Sequence, residues 1–486
     1  TLLACLFVSW VVMVTNGSVF AACFAVAGAF AVFLVVCRIE VGLYVLLATV
    51  LIVEQFQIHG PVTALTGQLP AYLNIKTIFR FEPMTVDLVD RYLLQLLKMN
   101  PVELWLLIML VAWSIRAAAS RTWRFRPIPH LDTAVLFLGM LMFYTLYGLV
   151  RGGDLVAALW EIRALYYLCA AYFLATQIIR TRFQVNACLW IIIVGVSIKG
   201  LQGCWRFFGQ LGGTLGGAPA LTCHEDALFM VTAFILMTGL FFLGEWRRKE
   251  FIVLACFFPP TFATFLLTQR RICYGVLVLS LLIVFILLPR AKKVLALKVA
   301  LPLIPLLCLY TAVYWNSSST IALPIQQTRS IFEEGRGADT SNTYRKIENF
   351  NLVSTIRQYP LGTGFGKKYL VLVSLPFVDF PLWDYIPHNC IYWIWVKTGF
   401  LGFIVFWLFF GTLIVQTVID YRHEPEPFYR AVCLMVATFV ISQLAVAYYD
   451  LQITFYRNMI YLGIAMALPA AIRRLPRDAV SAPPDG

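Results

Sequence analysis

An all-α polytopic membrane protein is the fold class this sequence predicts, and three observations predict it. Of the 486 residues, 60% are hydrophobic and 13% charged, where soluble globular chains average about 45–50% apolar and about 25% charged. Apolar runs of about 20 residues recur along the length, which suits membrane helices and not barrel strands of about 10. The compact basic clusters, with one exception, fall at alternate junctions between those runs, as the positive-inside rule asks of loops on one side of a membrane.

The spans follow in order. About fourteen meet the criterion of about 17–25 apolar residues. They centre on 2–15, 18–37, 41–58, 102–118, 131–150, 155–179, 184–207, 227–243, 251–268, 272–289, 294–315, 388–419, 428–449 and 458–472. Alternation places Arg38, Arg116 with Arg126, Arg180 with Arg182, Arg247 with Arg248, Arg290 with Lys292, Arg422, and Arg473 with Arg474 on one side, the cytoplasm, together with both termini. The chain opens directly into an apolar run without a basic lead-in, so no cleavable signal is expected. The membrane bundle then divides into an N-terminal part, residues 1–315, and a C-terminal part, 388–472. A tail, 473–486, follows, and its Pro-rich end reads as disordered.

Two long segments fall on the opposite side. Near residues 59–101, Met84, Leu88, Tyr92, Leu96 and Met99 recur at helical spacing, an amphipathic helix expected to lie in the interface. Residues 316–387 form a larger, helical loop domain. In it Asp339-Thr340-Ser341-Asn342 is a helix-start signal, and Thr343 to Tyr359 a helix ended by Pro360.

The formal net charge of +13 fits the loop bias and an attraction to anionic membrane lipids. Spread over short loops, it excludes nucleic acid as a partner. The twelve cysteines lie mostly inside apolar runs without metal-type spacing, and read as packing thiols. Cys204 and Cys223 flank one external loop and are the pair an oxidising compartment could bridge.

The residues suited to chemistry collect on the external side. His388, in Pro387-His388-Asn389, opens the run at 388–419. An ionisable residue at the mouth of a membrane helix is a functional candidate, and a neutral imidazole there can accept a proton near pH 7. The plain reading is a satisfied polar cap. His224, in His224-Glu225-Asp226, lacks a second histidine at ligand spacing, so no metal site is read there. Arg270 and Arg271 occupy a very short external turn, against the orientation bias; they either snorkel to the headgroups or clamp a lipid-borne diphosphate, which the planar guanidinium fork suits. Arg345 stands near the start of the external helix, an anion-favouring place. Gly362, Gly364 and Gly366 are either a tight turn after Pro360 or a source of backbone N–H groups for phosphate or sugar. Glu161 and Arg163 share one span but sit too close in sequence to face each other, so Glu161 is expected to pair elsewhere.

At these residues the chain resembles the O-antigen ligase and O-antigen polymerase superfamily of bacterial envelopes. The match is to an Arg-containing polar helix (Arg345), then Pro-Leu-Gly-x-Gly-x-Gly (Pro360 to Gly366), then His-Asn-x9-Gly-x-x-Gly (His388, Asn389, Gly399 and Gly402). It is strongest over residues 325–410, with a weaker match back to Thr268–Arg271, where the family carries one arginine and this chain offers two. The resemblance implies a multi-pass inner-membrane glycosyltransferase acting at the periplasmic face without metal, nucleotide sugar or other cofactor. Its donor would be an oligosaccharide on undecaprenyl diphosphate, and its acceptor a glycan or lipid hydroxyl. It further implies that His388 takes the acceptor's proton, that Arg345 with Arg270 or Arg271 holds the diphosphate, and that Asn389 and the five glycines support the site. Gly399 and Gly402 would let the helix behind His388 pack closely on a neighbour.

Two activities share this motif. A polymerase joins repeat units on lipid carriers and would work with a chain-length regulator; a ligase moves the glycan to a lipopolysaccharide core. Fourteen spans, against roughly twelve in typical ligases, favour the polymerase. A small-solute transporter is the third reading; it would be expected to show paired repeats and broken helices at mid-membrane, and the sequence displays neither.

Overall fold

The computed structural model describes residues 19–53, 101–119, 126–215, 221–268, 270–317, 319–332, 340–376 and 382–476. The first six helices are α1 Val19–Cys37, α2 Ile39–Ile52, α3 Pro101–Ala119, α4 Leu131–Val150, α5 Leu155–Ile178 and α6 Arg182–Cys204, the last running on into a π-helical turn, Trp205–Gln210. Then come α7 His224–Leu243, α8 Lys249–Leu267, α9 Arg271–Leu287 and α10 Arg290–Tyr314. The segment at 316–387 supplies α11 Leu323–Phe332 and α12 Thr340–Gln358, and the chain returns through α13 Cys390–His423, α14 Pro427–Ala447 and α15 Tyr456–Arg473. Among the described residues, nine helices are long and apolar enough to cross a membrane, with α2 and α9 as shorter apolar helices. The span predicted at 2–15 lies outside the described residues, as do the amphipathic segment near 59–101 up to Asn100 and the tail beyond residue 476.

Local chemistry sets the helix ends. Asp154 caps α5 by accepting from the Ala157 N–H at 2.7 Å. Thr181 and Gln184 form a capping box at α6, satisfying two of the N–H groups a helix start leaves open. Gly244 ends α7 in the left-handed conformation, φ 93°, and Pro427 begins α14, where its missing N–H costs nothing. Cys204 and Cys223 are both free thiols.

The core lies between α14, α7, α5 and α15. Both α14 and α7 are largely enclosed, and α15 packs along α5. By contrast α10 runs along the outside, with Ala296 its one buried side chain.

Contacts among loops sort the bundle's two ends. At one end Arg182 pairs with Glu426 at 2.7 Å, Arg473 with Asp420 at 2.9 Å, and Arg126 donates to the Ile179 carbonyl. These loops are the ones the basic clusters assign to a single side. At the other end, the loop before α5 meets the segment at 316–387: Asp154 N–H donates to the Gly366 carbonyl at 2.8 Å. His224, Arg270 and Asp450 meet there as well.

One predicted span is corrected. The run at 388–419 is two helical pieces, because Gly399 takes φ 59°, ψ −168° inside α13. The whole element, at 1.5 Å per residue, would be about 51 Å long, well beyond a hydrocarbon core of about 30 Å. The residues after the break span about 36 Å on the same arithmetic, which is enough alone. His388 therefore precedes a short helical stub and not the crossing helix itself.

Candidate active site

Helix α12 builds the first wall. Tyr344, Glu348, Asn351, Leu352 and Thr355 fall on one buried face by their three-to-four-residue spacing. Asn351 ties down a loop: its side chain accepts from the N–H groups of Leu372 and Val373, both at 3.0 Å, and donates to the Val373 carbonyl at 2.8 Å. Thr355 accepts from Leu370 N–H at 3.0 Å. The helix starts at Thr340, so Arg345 sits in its second turn. That corrects the expected anion-favouring placement, since the field of a helix end fades within the first turn.

Against this wall stands His388. Its backbone N–H donates to Glu348 Oε2 at 3.0 Å, and its Nδ1 lies 3.2 Å from Glu348 Oε1. The Glu348 side chain is 1% exposed and that of His388 29%. The Tyr344 ring meets the imidazole edge-on, with centroids 5.2 Å apart. Burial, and then the charge of Glu348, hold the Tyr344 and Tyr369 hydroxyls well above the usual phenol range. Asn389 caps α13 by accepting from Tyr392 N–H at 3.0 Å, and donates to Asn349 Oδ1 at 3.0 Å. It thereby fastens the histidine's strand to α12.

Arg270 precedes α9 and is largely enclosed. Its guanidinium contacts His224 Nε2, and His224 Nδ1 faces Asp450 at 3.5 Å. Burial opposes the Asp450 charge, but the hydrogen bonds and charges of His224, Gln452 and Arg270 outweigh it and hold the carboxyl well below its ordinary range. Burial pushes Arg270 down from the usual guanidinium value; Asp450, Cys273 and Glu225 oppose this, and the positive field of Arg345 adds to it. The two arginines thus act on one region of space. In both, the Nε–H is buried and has no hydrogen-bond partner among the described residues. Arg271 follows as the first residue of α9 and is half-buried. Arg270 has Arg345 in its surroundings.

The glycine run does something else. Gly362, Gly364 and Gly366 take φ 87°, 83° and 78°, a region open to glycine. The backbone N–H groups of residues 362 to 366 are all engaged within the protein. They donate in turn to Tyr359 O, Val396 O, Lys397 O, Tyr144 O and the Glu161 carboxylate, at 2.9, 2.9, 3.0, 3.1 and 2.5 Å. The alternative that these amides serve a phosphate or sugar is therefore corrected. The break at Gly399 explains the pattern: carbonyls of Val396 and Lys397 freed from helical bonding accept from the turn, while Phe400 N–H donates to the Pro360 carbonyl at 3.0 Å. Gly399 is a splice point. Gly402 matches the close-packing expectation, since a Cβ there would lie 3.1 Å from the Tyr144 ring of α4.

Beneath the splice is a wholly buried ion pair, Glu161 with Lys397 at 2.5 Å. Trp393 Nε1 also donates to Glu161, at 3.3 Å, and Lys397 reaches the Lys367 carbonyl. Arg163 turns instead to Glu103 at 3.0 Å. Asp226 is taken by Arg457 at 2.8 Å and Lys199 at 3.5 Å.

Glu348, Asp450 and Lys397 carry structural weight that sequence reasoning did not assign. For Glu348 a signal existed, since it follows Arg345 by three residues and so shares its helix face. For Lys397 the signal was a lone cation in an apolar run.

The family model described as O-Antigen ligase matches residues 252–407, a stretch that contains Arg270, Arg345, the glycine run, His388, Asn389, Gly399 and Gly402. No curated protein gives a significant match to the chain. The matched stretch, with the membrane helices around it, supports the resemblance to the O-antigen ligase and polymerase superfamily.

Proposed function

We propose that the protein polymerises oligosaccharide repeat units carried on undecaprenyl diphosphate, as an inverting glycosyltransferase at the periplasmic face of the inner membrane. The observation that carries this reading is the pairing, at one end of the bundle, of a partly exposed histidine with two arginines whose Nε–H groups are unengaged among the described residues. The acceptor hydroxyl gives its proton to His388 Nε2. Its oxygen forms a bond to the anomeric carbon from the face opposite the lipid. The bond from that carbon to the phosphate oxygen breaks, and the diphosphate leaves with the electron pair. Arg270 and Arg345 take up the charge that develops on it, as preorganised donors do elsewhere. In this scheme no divalent metal is needed, because the arginines supply the cationic charge.

The ligase reading is supported by the description of the matching family model. It uses the same residues and steps with a lipid A-core hydroxyl as acceptor. Purified protein in lipid nanodiscs, given lipid-linked repeat units with and without lipid A-core, separates the two. A ladder of lipid-linked oligomers without core supports the polymerase; transfer that appears only with core supports the ligase. No glycosidic product in either mixture overturns both. Orientation is tested by labelling with an impermeant thiol reagent: Ser317→Cys should react from outside and Ala291→Cys should not.

A further inference from the structure

We infer that Glu348 is a positioning residue for His388, holding the imidazole in the tautomer that leaves Nε2 free to take the acceptor's proton and balancing the charge the ring then gains. This rests on the reading of His388 as the base.

The geometry makes the two contacts distinct. The carboxylate's two oxygens both face one residue, Oε2 its backbone N–H at 3.0 Å and Oε1 its ring Nδ1 at 3.2 Å. The first contact fixes where His388 sits, and the second fixes how its ring turns. An ionised carboxylate can only accept hydrogen bonds, so Nδ1 carries the ring proton and the lone pair is left on Nε2. At 1% exposure the carboxylate has little water to compete for it, and the attraction between it and an imidazolium is correspondingly less screened. A base oriented in this way by a third group is the general logic of catalytic triads. The Tyr344 ring, edge-on at 5.2 Å, blocks rotation on one side, and the bond from Asn389 to Asn349 holds the chain on the other.

The arrangement also joins the two substrates. Arg345 and Glu348 lie three residues apart on α12, so one rigid element carries a group that faces the donor's phosphate and the group that aims the base at the acceptor. A purely structural role is the competing reading, in which Glu348 only ties the chain at His388 to α12.

The test compares Glu348→Gln with His388→Ala in purified protein, using lipid-linked repeat units as donor. Glutamine keeps one oxygen and so can satisfy only one of the two contacts. It should lower kcat by about 100-fold or more, within the range for losing general-base catalysis, while KM for the donor and the thermal midpoint stay close to wild type. On top of His388→Ala the same change should have no further effect, because its target is gone. A second measurement uses the unaltered protein: histidine ¹⁵N spectra, with His388 assigned by difference from His388→Ala, should show a protonated Nδ1 and a bare Nε2 when the ring is neutral. Wild-type kcat in Glu348→Gln overturns the inference, as does an equal loss in the presence and absence of His388, or the opposite tautomer in the spectrum. Failure of the underlying reading looks different: His388→Ala itself would then remain active.

Discussion

The glycine turn and the histidine corner belong to one stretch of chain, yet their polar groups are used in opposite ways. In the turn, five successive backbone N–H groups donate to protein acceptors, and beneath them Glu161 and Lys397 neutralise each other at full burial. In the corner, His388 is partly exposed, and Arg270 and Arg345 each keep a buried Nε–H without a partner among the described residues. A satisfied network rigidifies a structure, whereas unengaged donors of like charge brought together favour an anion between them. The difference teaches that residues of one motif can serve different ends. The glycines fix the segment at 316–387 to the membrane helices, and the charged corner keeps donors unengaged among the described residues.

The comparison breaks most visibly at Gly364. A Cβ there would lie 2.3 Å from Gly148 Cα, with the backbone at φ 83°. Gly364→Val should remove more than about 4–5 kcal/mol of stability and yield no folded protein by size-exclusion chromatography in detergent. A stable, monodisperse variant would mean that the splice is not structural. Lys397→Met comes next. Leaving Glu161 buried and unpaired should cost about 3–5 kcal/mol, read as a lowered unfolding midpoint. Adding Glu161→Gln should recover part of the loss, because it removes the bare charge while keeping an oxygen for the Gly366 N–H.

The histidine side is sharpened by smaller effects. Arg345→Lys keeps the charge and loses the planar fork, and should weaken donor binding about tenfold with the melting temperature unchanged. An equal loss of stability would move Arg345 to the architectural side of the comparison. The smallest effect expected is none: turnover in excess EDTA should match turnover without it, and activity that disappears and then returns with magnesium would give the charge-neutralising role to a metal.

Much of this was legible in the sequence, for identifiable reasons. Helix positions follow from apolar runs, so α4 and α5 lie where those runs place them, at Leu131–Val150 and Leu155–Ile178. The helix α12 was readable from the start signal at Asp339 to Asn342 and the Pro360 stop, although it begins at Thr340 and not at the expected Thr343, and the separation of Glu161 from Arg163 was readable from their spacing. What escaped was pairing across distance. Glu161 and Lys397 stand 236 positions apart and Glu348 and His388 are 40 apart; nothing local in either partner announces the other. The break at Gly399 was hidden because apolarity continues through it: a run of hydrophobic residues records burial in lipid, not the continuity of backbone hydrogen bonds.

The central claim is that His388 performs chemistry and does not merely cap a helix. Its most direct test is single-turnover transfer from a lipid-linked donor by purified His388→Ala, with donor affinity and thermal midpoint measured on the same sample. The account predicts transfer slowed by about 1,000-fold or more in a protein that binds donor and melts as wild type does. Product formed at a rate near wild type, or a loss of product explained by a loss of folding, would contradict it.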